Sequence, residues 1–240
     1  MRVISLLYGV VSYISFLGVF CYFIAFDAGI FVPKSLNSAA STGVGVALAV
    51  NCGLMMLFGV QHSVMARSGF KASIEKLIPH HLERSTYVLA TNIVLVFFML
   101  WWQPIDGNVW SVENPIAQKL MWGIFSAGWV LVLISTFLTD HFDLFGLRQV
   151  WLNFLERTYT EVRFTERFIY HWIRHPMMLG LLIAFWVVPV MTMGHLLFSA
   201  GMSLYIFVGI YLEEKSLLNS IGDHYAVYQK KTARVIPGIY

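Results

Sequence analysis

Two groups of ionisable residues bracket an apolar stretch in the last third of the chain. Arg174 and His175 open an Arg-His-Pro-x-x-x-Gly pattern directly before the stretch, and Glu213 and Glu214 stand where it ends. Charged groups at the edge of hydrocarbon are costly, so their presence favours a functional role. The alternative is that the first pair are interfacial anchors and the second pair form a solvated helix end.

A second set of ionisable side chains stands at the ends of earlier apolar runs. His62 closes the second run and Arg84 precedes the third, while Asp140 and His141 close the fourth. With the orientation predicted below, all of them fall on the same side of the membrane as the first two groups. This one-sided distribution indicates a site open to cytosolic solutes. The ordinary alternatives are a bond from His62 to a backbone carbonyl and a helix cap or anchor at Asp140.

The elements that must position these residues are predicted to be membrane-spanning helices. Of the 240 residues, 58% are hydrophobic and 12% are charged, which is typical of a polytopic membrane protein. An apolar stretch of about twenty residues spans a bilayer as a helix. The predicted runs are Val3–Phe26, Gly43–Met65, Thr86–Trp102, Ile116–Leu138, Pro176–Met191 and His195–Leu212. The predicted fold class is therefore all-α, a polytopic helical membrane bundle of about six transmembrane helices.

The connections complete this prediction. The last two runs are expected to form a C-terminal helical hairpin that turns at Thr192-Met193-Gly194. The polar segment Phe142–His175 could hold one amphipathic helix lying at the membrane surface. We expect a single membrane domain over residues 1–240, with a four-helix part at 1–141 and a C-terminal part at 142–240.

The distribution of lysine and arginine predicts the orientation. With six spans, 14 of the 16 basic residues fall on one side, and only Lys34 and Lys119 fall on the other. The positive-inside rule then places both termini and the site on the cytoplasmic side of the cell (inner) membrane. If the last hairpin were one helix, five spans would place the basic C-terminal tail outside.

Several other chemistries are disfavoured. His171 and His175 are four residues apart, which suits zinc, but Pro176 restricts His175 away from helical geometry and no third ligand stands at a fixed spacing. We therefore predict no metal. Cys21 and Cys52 each lie in an apolar run, as small core residues do. No phosphate-binding loop occurs, and no basic cluster with interleaved aromatic residues indicates a nucleic-acid partner.

The C-terminal motifs resemble those of the isoprenylcysteine carboxyl methyltransferase superfamily. They are Arg174-His175-Pro176-x-x-x-Gly180, Glu213-Glu214, Gly222-x-x-Tyr225-x-x-Tyr228 and Ile236-Pro237-Gly238. In those integral membrane enzymes this region wraps S-adenosylmethionine, so the resemblance implies that cofactor. The cofactor-binding set that it implies is Tyr170, Arg174, His175, Pro176, Leu179, Gly180, Glu213, Glu214, Tyr225 and Tyr228.

Three earlier motifs resemble a narrower branch, the nurim family. They are Phe58-Gly59-Val60-Gln61-His62-Ser63-Val64-Met65-Ala66-Arg67, Glu83-Arg84-Ser85-Thr86-Tyr87 and Asp140-His141-Phe142-Asp143-Leu144-Phe145-Gly146-Leu147-Arg148-Gln149. Bacterial enzymes of that family methylate methanethiol to dimethyl sulfide. The resemblance therefore implies methyl transfer from S-adenosylmethionine to a small thiol that partitions into the lipid bilayer.

Methyl transfer to sulfur needs the thiolate, because the thiol is a poor nucleophile. A thiol with a pKa of about 8.5 is only a few per cent ionised at neutral pH, so we expect a base. We favour His141, kept basic by Asp140 or Asp143. The predicted catalytic set is His141 and Asp140, His62 as the second candidate for the base, and Arg84 and Arg148 as orienting cations.

Three alternatives stay open from the sequence. The substrate could be a larger lipophilic thiol or a prenylcysteine carboxylate, since the superfamily motif does not select among them. A member of the nurim family could also be a non-enzymatic membrane scaffold. The sequence does not indicate an oligomeric state.

Overall fold

The structure, a computed structural model, describes residues 1–162, 166 and 168–238 of the chain. Within those ranges the regular structure is helical except for one two-stranded sheet. The elements in chain order are α1 (Arg2–Ala28), α2 (Val44–Met65), α3 (Ser68–Ile74), α4 (His80–Trp101), β1 (Asn108–Ser111), α5 (Pro115–Thr139), α6 (His141–Leu144), α7 (Leu147–Phe154), a 3₁₀-helix (Phe168–His171), α8 (Pro176–Trp186), β2 (Val190–Thr192), α9 (Met193–Ile221) and α10 (Asp223–Lys231).

Five of these helices, α1, α2, α4, α5 and α9, are long and apolar enough to cross a membrane. They coincide with the first four predicted runs and the last one, which confirms the all-α membrane bundle. The third run differs at its start, because α4 begins at His80 rather than at Thr86. Pro79 directly precedes the helix with extended backbone, and its carbonyl accepts from the N–H of Leu82. The first turn of α4 is therefore polar, and the apolar run that predicted this helix begins only after that turn.

The last helix is longer than the apolar run predicts. α9 continues to Ile221 instead of ending near Leu212. The intervening residues contain no helix breaker, and the helix stops only before Gly222, which has a φ of 70°. Glu213 and Glu214 consequently lie inside a helix and not at its end, which corrects the prediction for that pair.

The predicted fifth run is part helix and part strand. α8 is an 11-residue helix that ends at Trp186, and the chain then becomes extended. Pro189 explains the change, because proline cannot donate within a helix and disfavours helical backbone in the residue before it. β2 pairs antiparallel with β1, and the indole of Trp110 donates to the carbonyl of Val188 over 2.9 Å. α8 and α9 do pack on each other, as the hairpin prediction requires.

Close contacts group the chain into two compact units. The first unit contains Met1–Gly107 and Asp140–Val162, and the second contains Asn108–Thr139 and Arg163–Tyr240. A single membrane domain over residues 1–240 stays a prediction.

In the first unit, α1 packs on α4 and α7, and α2 packs on α4. The contact between α1 and α7 depends on Gly9, since a Cβ there would lie 2.4 Å from Cγ2 of Val150. Val150 is fully buried, whereas Trp151 and Phe154 on the same helix are exposed. α7 lies in the segment Phe142–His175, and the predicted position of an amphipathic helix of that segment at the membrane surface stays a prediction. Part of that segment lies outside the described residues.

In the second unit, α5 packs closely on α8 because glycines face each other. A Cβ at Gly128 would lie 2.8 Å from the carbonyl oxygen of Gly180, and a Cβ at Gly180 would lie 2.6 Å from that of Gly128. The C-terminal end of α8 is satisfied by side chains of α9. The carbonyl of Phe185 accepts from the hydroxyl of Ser199 over 2.6 Å and lies 3.2 Å from Nε2 of His195. Backbone polar groups at such a helix end need partners within the protein when no water is present.

Candidate active site

The carboxylate of Glu214 is the centre of a buried ion cluster in the second unit, and its side chain is only 5% exposed. Nε of Arg174 donates to its Oε1 over 2.7 Å, and Nε2 of His175 lies 3.2 Å from the same oxygen. Nε of Arg234 lies 3.1 Å from Oε2. A carboxylate removed from water needs such compensation of its charge. Glu214 therefore holds two arginines and a histidine in place.

Arg174 also clamps the segment that follows α10. Its Nη1 donates to the carbonyl of Gln229 over 2.7 Å and to that of Thr232. Its backbone N–H donates to Ala233, and that of His175 donates to the carbonyl of Arg234. The chain after α10 therefore folds back along residues 173–175. This backbone pairing is what brings the Arg234 side chain to Glu214.

Two charged members of the cluster remain accessible. The Glu213 side chain is 52% exposed, and its Oε2 lies 3.6 Å from Nδ1 of His175. Arg234 is 28% exposed, compared with 8% for Arg174. The guanidinium of Arg174 is already engaged with Glu214 and two carbonyls, so Arg234 is the more accessible arginine of this cluster.

Three tyrosines surround this cluster. The hydroxyl of Tyr228 donates to the carbonyl of Tyr170, and the rings of Tyr225 and Tyr228 lie 5.8 Å apart. Burial, and then the negative charge of Glu213, raises the pKa of Tyr170 to about 12. Burial, followed by the charge of Glu214, likewise raises the pKa of Tyr225. All three phenols are therefore neutral hydrogen-bonding groups at physiological pH.

The remaining predicted cofactor residues belong to the start of α8. His175 precedes the helix with φ −125° and ψ 62°, which confirms that Pro176 keeps it out of helical geometry. Pro176 occupies the first turn, and the N–H of Leu179 donates to the carbonyl of His175 over 3.1 Å. Gly180 faces Gly128, so its absent side chain serves the packing of α5 on α8.

The first unit contains a second charged cluster, centred on Asp143 and Arg148. Nη1 of Arg148 donates to Oδ1 of Asp143 over 2.8 Å and to the carbonyl of Thr160 over 2.8 Å. The hydroxyl of Tyr159 donates to Oδ2 of Asp143. The bond to Asp143, only partly opposed by burial, raises the pKa of Arg148. Nε of Arg148 lies 3.9 Å from Asp140, so both aspartates contact one guanidinium.

His141 is buried beside this cluster, but the described partner of its ring is a tyrosine. Nε2 of His141 lies 2.8 Å from the hydroxyl of Tyr13 on α1. Asp143, one of its two predicted carboxylate partners, is bonded instead to Arg148 and Tyr159. Burial lowers the pKa of His141, and the nearby charge of Asp140 opposes that shift. The imidazole is therefore neutral at physiological pH and able to accept a proton.

Asp140 is the N-terminal cap of α6 and has a positive φ. It caps α6 by accepting the N–H of Asp143 at Oδ1 over 3.1 Å, and its φ is 96°. A positive φ outside glycine costs of order 1–3 kcal/mol and is found most often at functional sites. The strained residue lies directly before His141, where α5 ends and α6 begins.

The second predicted base, His62, lies against Tyr87 and Arg84. The hydroxyl of Tyr87 is 2.9 Å from the imidazole of His62, and the guanidinium of Arg84 lies 4.8 Å from the centre of the Tyr87 ring. Nε of Arg84 also donates to the carbonyl of Leu144 over 2.6 Å. Arg84 thus connects this group to α6, the helix that carries His141.

All of the predicted catalytic residues belong to the first unit, and all of the predicted cofactor residues belong to the second. Sequence reasoning missed Tyr13, which stands in an apolar run without any motif. It also missed the role of Arg234, which it counted only as one of the basic residues. The sequence did contain an indication that Arg234 belongs to the site, since this residue lies just before the Ile236-Pro237-Gly238 motif. Within the described residues, no three histidine, cysteine, aspartate or glutamate side chains are grouped to hold a metal ion.

These features define a polytopic helical membrane protein with a buried ion cluster around Glu214 and a partly exposed one around Asp143 and Arg148. A sequence profile described as NnrU protein matches residues 50–237. The chain therefore belongs to the NnrU family. It is also similar to nurim from Xenopus laevis, as the resemblance of its motifs predicted, with 26% identity over 73% of this chain and 64% of that protein.

Two other relatives match over nearly their full length. The chain is 44% identical to a methanethiol S-methyltransferase of Crocosphaera subtropica over 99% of this chain and 93% of the relative. It is 42% identical to a methanethiol S-methyltransferase of Mycobacterium tuberculosis over 98% and 97%. No solved structure matches the chain.

Proposed function

We propose that this protein transfers a methyl group from S-adenosylmethionine to methanethiol and releases dimethyl sulfide. The observation that carries the proposal is the match of 42–44% identity, over nearly the whole chain, to proteins named for that activity. The accessible carboxylate of Glu213 beside a compensated ion cluster supports it independently, since a cationic ligand needs such a group.

The residues of the second unit fit the methyl donor. Glu213 would bind its ammonium group or its ribose hydroxyls, and Arg234 would bind its carboxylate. Glu214 and Arg174 would act indirectly, because both are buried and engaged with each other. When bound, S-adenosylmethionine supplies an electrophilic methyl group on a cationic sulfur.

The base that we propose for the thiol is His141, with His62 as the second candidate. Asp140 directly precedes His141, and its negative charge favours the imidazolium that forms. The imidazole of His62 instead packs against the ring of Tyr87, which also contacts the guanidinium of Arg84. We expect His141→Ala to bind the cofactor normally, to turn over slowly at neutral pH and to recover at high pH. If both His141→Ala and His62→Ala kept the wild-type rate at neutral pH, neither histidine would be the base. Ionisation of the thiol would then be explained by a carboxylate such as Asp140 or by the charge of the sulfonium.

The experiment that tests the function uses purified protein in detergent with both substrates. Headspace gas chromatography should detect dimethyl sulfide, and its yield should depend on both S-adenosylmethionine and methanethiol. Cofactor binding by calorimetry without dimethyl sulfide would favour a larger lipophilic thiol or a prenylcysteine carboxylate as substrate. Absence of cofactor binding at millimolar concentration would favour a membrane scaffold.

We also propose that the protein lies in the inner membrane with both termini in the cytoplasm. The support is the asymmetry of lysine and arginine in the sequence. A charged cofactor made in the cytosol requires the cytoplasmic orientation, whereas a small apolar thiol can reach the protein from lipid or from water.

A further inference from the structure

The hydroxyl of Tyr13 contacts the imidazole of His141, the base proposed above. His141 is 3% exposed, and its Nε2 lies 2.8 Å from the hydroxyl of Tyr13. Tyr13 itself is partly exposed on α1. A proton that reaches Nε2 of His141 from a substrate must therefore replace that contact or pass through the phenol.

The surroundings of this pair are aromatic. The ring of Tyr13 lies 6.1 Å from those of Phe16 and Phe142 and 6.4 Å from that of Phe145. The His141 ring lies 4.8 Å from Phe145, which stacks on Phe16 at 3.8 Å. The described ring contacts of the pair are therefore aromatic, and sulfur makes favourable contacts with aromatic rings.

Burial lowers the pKa of His141, and among the charged groups around the pair Asp140, which lies directly before it, opposes that shift. The other groups on the elements packed around it are Asp143 on α6, Arg148 on α7, Arg84 on α4 and Tyr13 on α1. Arg148 is paired with Asp143, so that its positive charge is largely compensated.

We propose that Tyr13 is a catalytic residue that takes the proton of the thiol while it gives its own proton to Nε2 of His141. This rests on the proposed function. The S–H bond of methanethiol breaks, and its electron pair remains on sulfur and forms the new bond to the methyl carbon. The bond between that carbon and the donor sulfur breaks, and its electron pair stays on the donor sulfur. The phenol is regenerated, and the imidazole ends as an imidazolium stabilised by Asp140.

The experiment compares Tyr13→Phe with Tyr8→Phe in headspace assays across pH. Both variants keep the ring and remove one hydroxyl from α1, but the hydroxyl of Tyr8 contacts Thr86 at 3.0 Å instead of a histidine. General acid–base catalysis contributes about 10²–10⁴-fold, so we expect Tyr13→Phe to lose at least about 100-fold in kcat at pH 7. The KM for methanethiol and the cofactor affinity should stay within about twofold of wild type, and Tyr8→Phe should keep the wild-type rate.

The pH profile separates a proton-transfer role from a packing role. Below the pKa of the thiol, its ionised fraction rises about tenfold per pH unit. The Tyr13→Phe rate should follow that rise toward wild type, whereas the wild-type rate should be nearly flat above neutral pH. The double variant Tyr13→Phe/His141→Ala should be no slower than the slower single variant, because the two residues act as one unit.

Three results would overturn the proposal. They are a Tyr13→Phe rate equal to wild type at pH 7, a loss without recovery at high pH, and a loss of cofactor binding. The failure of the proposed function would look different, since wild-type protein would then release no dimethyl sulfide at any pH.

Discussion

Glu213 and Glu214 show how adjacent identical side chains acquire different tasks. Successive residues on a helix point about 100° apart, so one carboxylate of the pair faces the protein and the other does not. Glu214 is 5% exposed and Glu213 is 52% exposed. A substitution at each position should therefore affect a different property.

We expect Glu213→Gln to weaken the binding of S-adenosylmethionine and to leave the fold intact. Loss of a charged hydrogen bond costs about 1.5–3 kcal/mol, which corresponds to roughly 10- to 150-fold in affinity. Calorimetry on detergent-purified protein measures the effect, with thermal unfolding as the control for folding. An affinity equal to wild type would remove Glu213 from the binding site.

Glu214→Gln should instead lower the free energy of unfolding. The change leaves Arg174 buried with a weaker partner, and breaking one side of a buried ion pair costs about 3–5 kcal/mol. Cofactor binding should fall as a consequence, since His175 and Arg234 lose their common partner. A thermal midpoint unchanged from wild type would show that the cluster contributes nothing to the stability of the fold.

The acid side of the pH–rate profile depends on His141. Because burial lowers its folded-state pKa, the imidazole stays neutral to a pH below its ordinary value of 6.5. Only the neutral form accepts a proton, so the wild-type rate should hold on acidification through pH 6.5 and fall at a lower pH. A midpoint above 6.5, measured with saturating cofactor, would be inconsistent with this imidazole as the base.

At the scale of elements, the packing of α5 on α8 depends on two facing glycines. Gly180→Ala would place a Cβ 2.6 Å from a backbone oxygen of Gly128, and neither backbone can move without the other. Overpacking of this kind costs about 1–3 kcal/mol. Gly123→Ala is the matched control, since α5 carries Gly123 with no atom within 4 Å of its Cβ position. We expect Gly180→Ala to lower the thermal midpoint and Gly123→Ala to keep or raise it.

The polypeptide between Pro176 and Thr192 combines a half-length helix with an extended segment. At about 1.5 Å per helical residue, α8 covers about 17 Å, which is short of a hydrocarbon core of about 30 Å. In the six-span topology proposed above, the residues that follow α8 would supply the remaining length at about 3.3 Å per extended residue. β2 pairs with β1 and the carbonyl of Val188 accepts from Trp110, which is the pairing that a non-helical segment within the bilayer would require.

For the molecule as a whole, the orientation is a prediction from charge. A reporter that is active only outside the cytoplasm should stay silent when it is fused after Tyr240, because both termini are expected inside. A fusion in the loop between α4 and α5 should be active, since that loop is expected on the opposite side. Activity at the C-terminal fusion would mean an odd number of spans.

Much of this fold follows from hydropathy. Five long helices were predicted, because a run of about twenty apolar residues has few other stable states in a bilayer, but the polar first turns of α4 and last turns of α9 were not. The paired strands β1 and β2 were not predicted. Three or four residues contain too little alternation to indicate a strand, and this pairing depends on a partner far away in the sequence.

The candidate site was predictable only where residues form motifs. Arg174, His175 and Glu214, which their placement at the edges of an apolar stretch marked as candidate site residues, meet in space. Tyr13 carries no such signal, because a single tyrosine in an apolar helix is ordinary. Arg234 reaches Glu214 because residues 233–234 pair with residues 173–175, a long-range pairing that no local pattern encodes.

The bridge at Ile173 and Ala233 has a consequence for biosynthesis. A ribosome makes Arg174 and Glu214 before it makes the carbonyls of Gln229 and Thr232 that Arg174 clamps. Helices α8 and α9 therefore leave the ribosome with their ion cluster incomplete. The side chain of Arg234 joins the cluster when residues 229–234 dock, so a nascent chain arrested before that point would lack both the carbonyls clamped by Arg174 and the arginine proposed to bind the cofactor carboxylate.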